Sequence, residues 1–271
     1  MAEPLLVFPD DEFRARTARL QAEMNAHDLD ALLLTTPQDV FYTTGFLTRF
    51  WESPARPWFV IVPAAGLPVA VIPSIGAPLM QRTWVADIRT WDAPNPVDDG
   101  LSLLTDTLRD LRLHRIGVPM GLETHLRMPL ADFHSLSKSF DIVDGTSALH
   151  RTREIKSEAE IAKIRDICTI AGRAFDRVPE IAHAGVPLEQ VFRDFQSLLL
   201  QGGADWVSYV AGAAGPDGYA DVISPAAPTP LRPGDVLMLD TGAVRDGYFC
   251  DFDRNAFVGT PSDAVRRTHD R

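Results

Sequence analysis

Residues 237–254 read LMLDTGAVRDGYFCDFDR, and this stretch decides how the second half of the chain folds. Two short apolar runs flank Asp246-Gly247, a dipeptide typical of a tight turn between antiparallel strands, because both residues tolerate positive φ. Each run also carries a carboxylate, Asp240 before the turn and Asp251 after it. The sequence therefore predicts a β-hairpin that brings two acidic side chains together.

The two strands of the hairpin are predicted from their apolar content and their turn boundaries. Val236–Leu239 is short, apolar and preceded by a Pro-rich turn, and Tyr248–Phe257 is the expected return strand. Side chains alternate between the two faces of a strand. Cys250 is therefore expected to point away from the face that carries Asp251, and a catalytic role for this thiol is the weaker interpretation.

Two registers of the hairpin are compatible with the sequence. If Arg245-Asp246 forms the loop, Asp240 lies opposite Asp251, and if Asp246-Gly247 forms the loop, Asp240 lies opposite Asp253. Both registers place the three carboxylates on one face, because side chains alternate with a period of two.

Like charges that face each other in a sheet are destabilising, and burial increases the cost unless a cation lies between them. Oxygen ligands suit Mn, Mg, Co or Zn, so a divalent metal resolves the conflict. The alternative is a solvated edge whose Asp residues face water. Apolar neighbours favour burial over that alternative: Leu237, Met238, Leu239, Phe249 and Phe252.

Composition limits the class of protein and its partners. The 271 residues are 45% hydrophobic and 23% charged, which indicates a globular chain long enough for two domains. The net charge of −11 disfavours nucleic acid and anionic membranes as partners. No apolar run is long enough to span a bilayer, and the N-terminus lacks signal-peptide features. Two isolated cysteines, Cys168 and Cys250, fit a reducing compartment, so we expect a cytoplasmic protein.

The first 150 residues alternate strand patterns with helix patterns, which is typical of an α/β domain. The predicted strands are 29–35, 58–63, 68–73, 88–91, 115–119 and 141–143. The predicted helices are 11–28, 39–42, 78–84, 101–113 and 130–139. We therefore expect an α/β domain over residues 1–150.

The composition changes at residues 151–156, which read as a charged junction. Ser157 and Glu160 then match a capping box, which opens a helix that Pro179 is expected to kink or end. The elements predicted between this helix and the hairpin are a helix over 188–200 and a strand over 206–211. A second domain is therefore expected over residues 151–271.

These motifs together resemble the pita-bread metallopeptidase family, which includes Xaa-Pro aminopeptidases, prolidases, methionine aminopeptidases and creatinase. The Asp-x-Gly of residues 240–242, the Gly-Tyr of residues 247–248, Asp251 and Arg254 match its hairpin motif. The segments RTREIKSEAEIAKIR (151–165) and LDALLLTTPQDVFYTTGF (29–46) are similar to the start of its catalytic domain and to its N-terminal domain. The resemblance implies a creatinase-like α/β domain followed by an incomplete α+β pita-bread domain.

The resemblance also implies a metal site. Complete members bind two divalent metal ions (Mn, Co, Zn or Fe) through two Asp, one His and two Glu, and Asp240 and Asp251 match the two Asp. A Thr or Ser is common where this chain has Asp253. No Glu follows Glu189, and His269 comes too soon after Asp251 to match the family His. We therefore expect two of the five ligands here and an inactive chain when it is alone.

A second departure from the family concerns substrate handling. Peptidase members usually have a His shortly before the first ligand strand, whereas residues 221–224 read DVIS. Trp206, Tyr209 and Tyr219 are interpreted as core residues, with pocket lining as the alternative. The absent His weakens the Xaa-Pro peptidase interpretation.

The resemblance implies a metal-dependent hydrolase of the Xaa-Pro aminopeptidase or dipeptidase type, in which metal-activated water attacks a peptide or related C–N bond. Short peptides or small molecules are the expected substrates, and a homodimer is the expected assembly. Two alternatives stay open. One is a non-catalytic relative that acts through binding or dimerisation, and the other is a non-peptidase member of the creatinase or lyase kind.

Overall fold

The computed structural model describes residues 7–52, 57–216 and 218–270, apart from the side chain of Glu52. The chain divides into two compact units, Met1–Lys156 and Ser157–Arg271, here called unit 1 and unit 2. The boundary predicted between residues 150 and 151 falls inside a helix, Thr146–Glu154. The division in the structure lies six residues later, where the predicted capping box begins.

Unit 1 is built on a six-stranded mixed sheet with the strand order β4-β3-β2-β1-β5-β6. The pairs β1–β2 and β2–β3 are antiparallel, and the other three pairs are parallel. The strands are β1 (Ala31–Leu34), β2 (Phe59–Pro63), β3 (Val69–Pro73), β4 (Asp87–Trp91), β5 (Arg115–Val118) and β6 (Asp141–Asp144). All six match strands predicted from the sequence, so the expected α/β domain is confirmed.

Six helices accompany this sheet in the described part of unit 1. They are α1 (Asp10–Ala26), α2 (Pro37–Thr44), α3 (Ala77–Met80), α4 (Leu101–Asp110), α5 (Leu130–Leu136) and α6 (Thr146–Glu154). The helix predicted over 78–84 is only the single turn α3, preceded by the 3₁₀ turn Ser74–Gly76. The helix α6 was not predicted, because its buried side chains are few and its charged end reads as a linker.

The central strands of this sheet are buried on both faces. Every residue of β1, β2 and β3 is buried, although successive side chains point in opposite directions. Leu33 and Ile61 lie on one face with Leu104 and Leu108 of α4. Their neighbours in sequence point to the other face and are equally buried, which explains the continuous apolar runs of these strands.

Within residues 157–216 and 218–270, unit 2 combines four helices with a three-stranded antiparallel sheet of order β7-β8-β9. The strands are β7 (Trp206–Gly215), β8 (Val236–Arg245) and β9 (Tyr248–Phe257), and the helices are α7 (Glu158–Asp176), α8 (Val178–Ile181), α9 (Leu188–Gln201) and α10 (Asp263–His269). The capping box of Ser157 and Glu160 forms as predicted. The helix ends just before Pro179, which lies in the first turn of α8. Among the described residues, none of the helices is long and apolar enough to cross a membrane.

The hairpin adopts the second of the two predicted registers. Arg245 pairs with Tyr248, and Asp240 lies opposite Asp253. The two loop residues, Asp246 and Gly247, have φ of 53° and 78°. Positive φ at both positions suits a tight hairpin turn, and Asp-Gly adopts it at little cost. The alternative loop would impose positive φ on Arg245, which explains why it is not formed.

One face of this sheet, here called the helix face, packs against helices of unit 2. Leu237, Leu239, Ala243 and Cys250 are buried there with apolar side chains of α7 and α9. Cys250 therefore points away from the carboxylates, as predicted. The opposite face carries the carboxylates and is here called the acidic face.

Candidate metal centre

The structure brings Asp240 and Asp251 together on the acidic face. Asp240 lies in the middle of β8, and Asp251 lies on β9 directly opposite Gly242. Both are therefore on one face in adjacent rows of the sheet, as the sequence predicts. Asp253 is the direct cross-strand neighbour of Asp240. Three carboxylates thus project from a small area of the hairpin.

A single phenol links the two predicted ligands. The hydroxyl of Tyr209 lies 3.0 Å from Oδ1 of Asp240 and 2.6 Å from Oδ1 of Asp251. Burial, followed by these two carboxylates, raises the pKa of Tyr209 above its ordinary value, so the phenol keeps its proton. One hydroxyl has one proton to donate. Two carboxylates therefore share one donor, and the site is short of positive charge.

A β-bulge places Tyr209 over the site. Val207 pairs with Ala243, but Tyr209, two residues later, pairs with Gly242, so Ser208 is the extra residue of the bulge. If the pairing continued from Val207 without a bulge, Tyr209 would lie opposite Thr241 and its side chain would point to the helix face. The Thr241 hydroxyl donates to the Tyr209 carbonyl at 2.9 Å and fixes the strand beside the bulge. The interpretation of Tyr209 as a core residue is therefore wrong.

Gly242 provides the space that this arrangement needs. A Cβ at this position would come within 2.5 Å of the Tyr209 ring and 2.3 Å of the Phe249 ring. The two rings lie on either side of the glycine, with centroids 6.4 Å apart. The Asp-x-Gly motif thus supplies a carboxylate and, two residues later on the same face, a gap for the phenol.

The acidic face is more open than the sequence suggests. Asp240 is partly buried, whereas Asp251 and Asp253 are exposed. Burial was predicted from five apolar neighbours, but three of them, Leu237, Leu239 and Phe252, belong to the helix face. Alternation along the strand separates them from the carboxylates. The prediction of a buried site is therefore wrong for Asp251.

The carboxylate oxygens of Asp240 and Asp251 are of the chemical type that binds divalent cations. Carboxylate oxygens are the ligands that hard cations prefer, and one shared proton leaves the pair short of positive charge. Among the described residues, no Lys or Arg forms an ion pair with Asp240 or Asp251. The same residues contain no group of three His, Cys, Asp or Glu that could hold a metal. Asp240 and Asp251 are therefore the two candidate ligands in the described part of the chain.

Other residues singled out from the sequence lie elsewhere in unit 2. Tyr219 is exposed beside a cavity of about 610 Å³, so it is not a core residue either. His269 lies at the end of α10, exposed, with its ring 6.1 Å from that of Phe257. The helix begins after its N-cap residue, Ser262. His269 is thus a surface residue.

Comparisons with known proteins match each of the two units to a known domain family. Residues 16–155 match the Creatinase/Prolidase N-terminal domain, and residues 162–271 match Metallopeptidase family M24. The chain is 28% identical to an uncharacterized hydrolase/peptidase of Sinorhizobium fredii over 97% of its own length and 70% of the relative's. It is 27% identical to a probable dipeptidase PepE of Mycobacterium tuberculosis over 96% of its length and 68% of the relative's.

Solved structures show the same fold. The dipeptidase PepE from Mycobacterium ulcerans superimposes with a TM-score of 0.77 at 22% sequence identity. The match covers 97% of this chain and 69% of the PepE chain. The Xaa-Pro dipeptidase from Bacillus anthracis superimposes with a TM-score of 0.78 at 18% sequence identity. The match covers 95% of this chain and 68% of the dipeptidase chain. The chain therefore belongs to the creatinase/prolidase family of pita-bread metallopeptidases.

Proposed function

We propose that Asp240 and Asp251 bind a divalent metal ion and that the chain serves a metal-dependent peptidase activity on Xaa-Pro or other dipeptides. The observation that carries this proposal is the convergence of the two carboxylates on the Tyr209 hydroxyl. The family match supports a hydrolytic metal centre at this hairpin. The substrate class follows from the names of the relatives, which are dipeptidases and an Xaa-Pro dipeptidase.

Each residue of the site has a distinct task in this proposal. Asp240 and Asp251 supply the negative charge and the oxygen ligands. Tyr209 keeps its proton and orients both carboxylates by hydrogen bonding. Gly242 leaves room for that phenol. A divalent ion held by these carboxylates would act as a Lewis acid and would lower the pKa of bound water, which favours attack of water on a peptide bond.

Metal titration of the chain tests the site. Isothermal titration with MnCl₂ is compared for the wild-type chain, Asp240→Asn and Asp251→Asn. Asp263→Asn is the matched control, because this carboxylate lies in the exposed first turn of α10. We expect each site variant to weaken Mn²⁺ binding at least about tenfold and the control to bind like the wild type. Equal binding by all four proteins would contradict the proposed site.

Hydrolysis tests the activity separately. Release of proline from an Ala-Pro dipeptide is compared with cleavage of Ala-Ala, with and without Mn²⁺. Cleavage that depends on Mn²⁺ and on Asp251 supports the peptidase proposal. Mn²⁺ binding without cleavage of either dipeptide would agree with the inactivity expected of the chain alone and would leave the metal site intact, but it would contradict a peptidase activity of this chain by itself.

The predicted assembly and compartment stay predictions. A homodimer in sedimentation experiments would agree with the first. Cys168 and Cys250 are both free thiols, which suits the reducing compartment expected from the sequence.

A further inference from the structure

The turn of the hairpin is attached to the first helix of unit 2. The Tyr248 hydroxyl donates to Oε1 of Glu160 at 2.8 Å, and Nζ of Lys163 lies 2.6 Å from Oδ2 of Asp246. Glu160 is nearly fully buried, and its Oε2 also accepts the backbone N–H of Ser157. The same carboxylate therefore caps α7 and holds the first residue of β9.

The loop that precedes β7 holds the turn from its other side. Arg245 donates to the carbonyl of Gly203 at 2.7 Å, and the backbone N–H of Asp246 donates to Oδ2 of Asp205 at 2.7 Å. Four consecutive positions, 245–248, thus include three that bind α7 or this loop. Such anchoring fixes which residues occupy the turn.

The turn decides which carboxylate meets the phenol. In the observed register Asp251 lies opposite Gly242, which pairs with Tyr209 on its other side. Moving the loop to Arg245-Asp246 would keep every side chain on its face but shift β9 by two residues. Asp251 would then lie opposite Asp240, and Phe249 would occupy the row of Tyr209.

We propose that the contacts Glu160–Tyr248 and Lys163–Asp246 position the metal ligands, because they hold β9 in the register that places Asp251 against Tyr209. This inference rests on the proposed function of Asp240 and Asp251. Tyr248 points to the helix face, so it acts on the site through the strand and touches none of its atoms. Glu160, Lys163 and Tyr248 are positioning residues.

Two conservative variants with matched controls test the proposal. Tyr248→Phe removes only the hydroxyl, and Tyr219→Phe makes the same change at an exposed position. Lys163→Met removes the ammonium, and Lys156→Met does so where the ammonium lies 3.1 Å from a backbone carbonyl. Each protein is studied by Mn²⁺ titration, by hydrogen–deuterium exchange of β9 and by thermal unfolding.

We expect Tyr248→Phe and Lys163→Met to weaken Mn²⁺ binding by about tenfold and to speed amide exchange within β9. Both controls should match the wild type in these two measurements. A lower unfolding temperature with unchanged Mn²⁺ affinity and unchanged exchange would mean a structural contact only and would overturn the proposal.

The exchange measurement separates this proposal from the proposed function. If the wild-type chain binds no Mn²⁺, the proposed metal site is contradicted. The exchange rates of β9 then test by themselves whether the Glu160–Tyr248 contact positions Asp251. Faster exchange of β9 in Tyr248→Phe but not in Tyr219→Phe then supports the positioning of Asp251. Equal exchange in these two variants overturns it.

Discussion

The sheets of the two units differ in whether their strands are buried on both faces or on one. In unit 1 the strands β1, β2 and β3 are buried at every position, and their sequences are continuous apolar runs. In unit 2 the strand β9 mixes buried, partly buried and exposed residues, and charged side chains lie between aromatic ones. Two-sided burial demands apolar residues throughout, whereas one-sided burial leaves every second position free for chemistry.

The carboxylates of the two units differ in the same way. In unit 1, Asp39 is buried and paired with Arg153 at 2.6 Å, and Asp30 accepts two backbone N–H groups. In unit 2, Asp240 and Asp251 share one phenol. Carboxylates with their own donors stabilise the fold, whereas a pair that shares one donor is suited to binding a cation.

The largest expected effect compares the two sheets directly. Leu33→Ala removes a fully buried side chain from the core of unit 1 and should cost about 2–5 kcal/mol of unfolding free energy. Phe257→Ala removes a larger side chain from the acidic face, where 36% of Phe257 is exposed, and should cost about 1 kcal/mol. Urea unfolding followed by circular dichroism measures both. Equal losses of unfolding free energy in the two variants would contradict the difference in burial between the two sheets.

The second effect concerns how tightly the acidic face is packed around Tyr209. Gly242→Ala should cost about 1–3 kcal/mol, because the added methyl group overlaps two aromatic rings. The matched control is Gly172→Ala in α7, where an added Cβ meets nothing within 4 Å. This control should raise stability by about 0.5–1 kcal/mol through helix propensity. A Gly242→Ala chain as stable as wild type would show that the rings are not held.

The third effect depends on pH. Backbone N–H groups of Arg115 and then His114 lower the pKa of Asp30. Because the folded pKa lies below the unfolded one, Asp30 stabilises the fold above the unfolded pKa, and the gain is lost as pH falls through the folded pKa. Asp30→Asn should therefore cost about 1 kcal/mol at pH 7 and less near pH 3. Asp106→Asn, at an exposed ion pair, is the control. A cost that stays constant with pH contradicts this assignment.

The smallest effect compares helix caps. Thr36 caps α2, a helix that is buried over most of its length, and Thr36→Ala should cost about 1 kcal/mol. Ser262 caps α10, which has no buried residue, and Ser262→Ala should cost less than about 0.5 kcal/mol. Thermal unfolding measures both. A larger cost at Ser262 would mean that α10 contributes more to unit 2 than its exposure indicates.

The sequence predicted the strands of unit 1, the hairpin and the capping box because local patterns determine them. Apolar runs, an Asp-Gly turn and a Ser-x-x-Glu start each depend on neighbouring residues. The single turn α3 and the unpredicted α6 show where this fails. The helix α3 is a single turn, and α6 packs against the distant α1, a tertiary contact that its local sequence does not reveal.

By itself, the sequence determined that Asp240, Asp251 and Asp253 share a face, because the two registers that the turn allows differ by two residues and so preserve the alternation of side chains. Only the tertiary structure decided which register forms, how exposed the face is and which group bridges the carboxylates. The register depends on backbone angles at Asp246 and Gly247 and on partners in α7. The position of Tyr209 depends on a bulge at Ser208 that no local pattern marks. A single extra residue reverses the face of a side chain, and pairing across strands alone determines where it occurs.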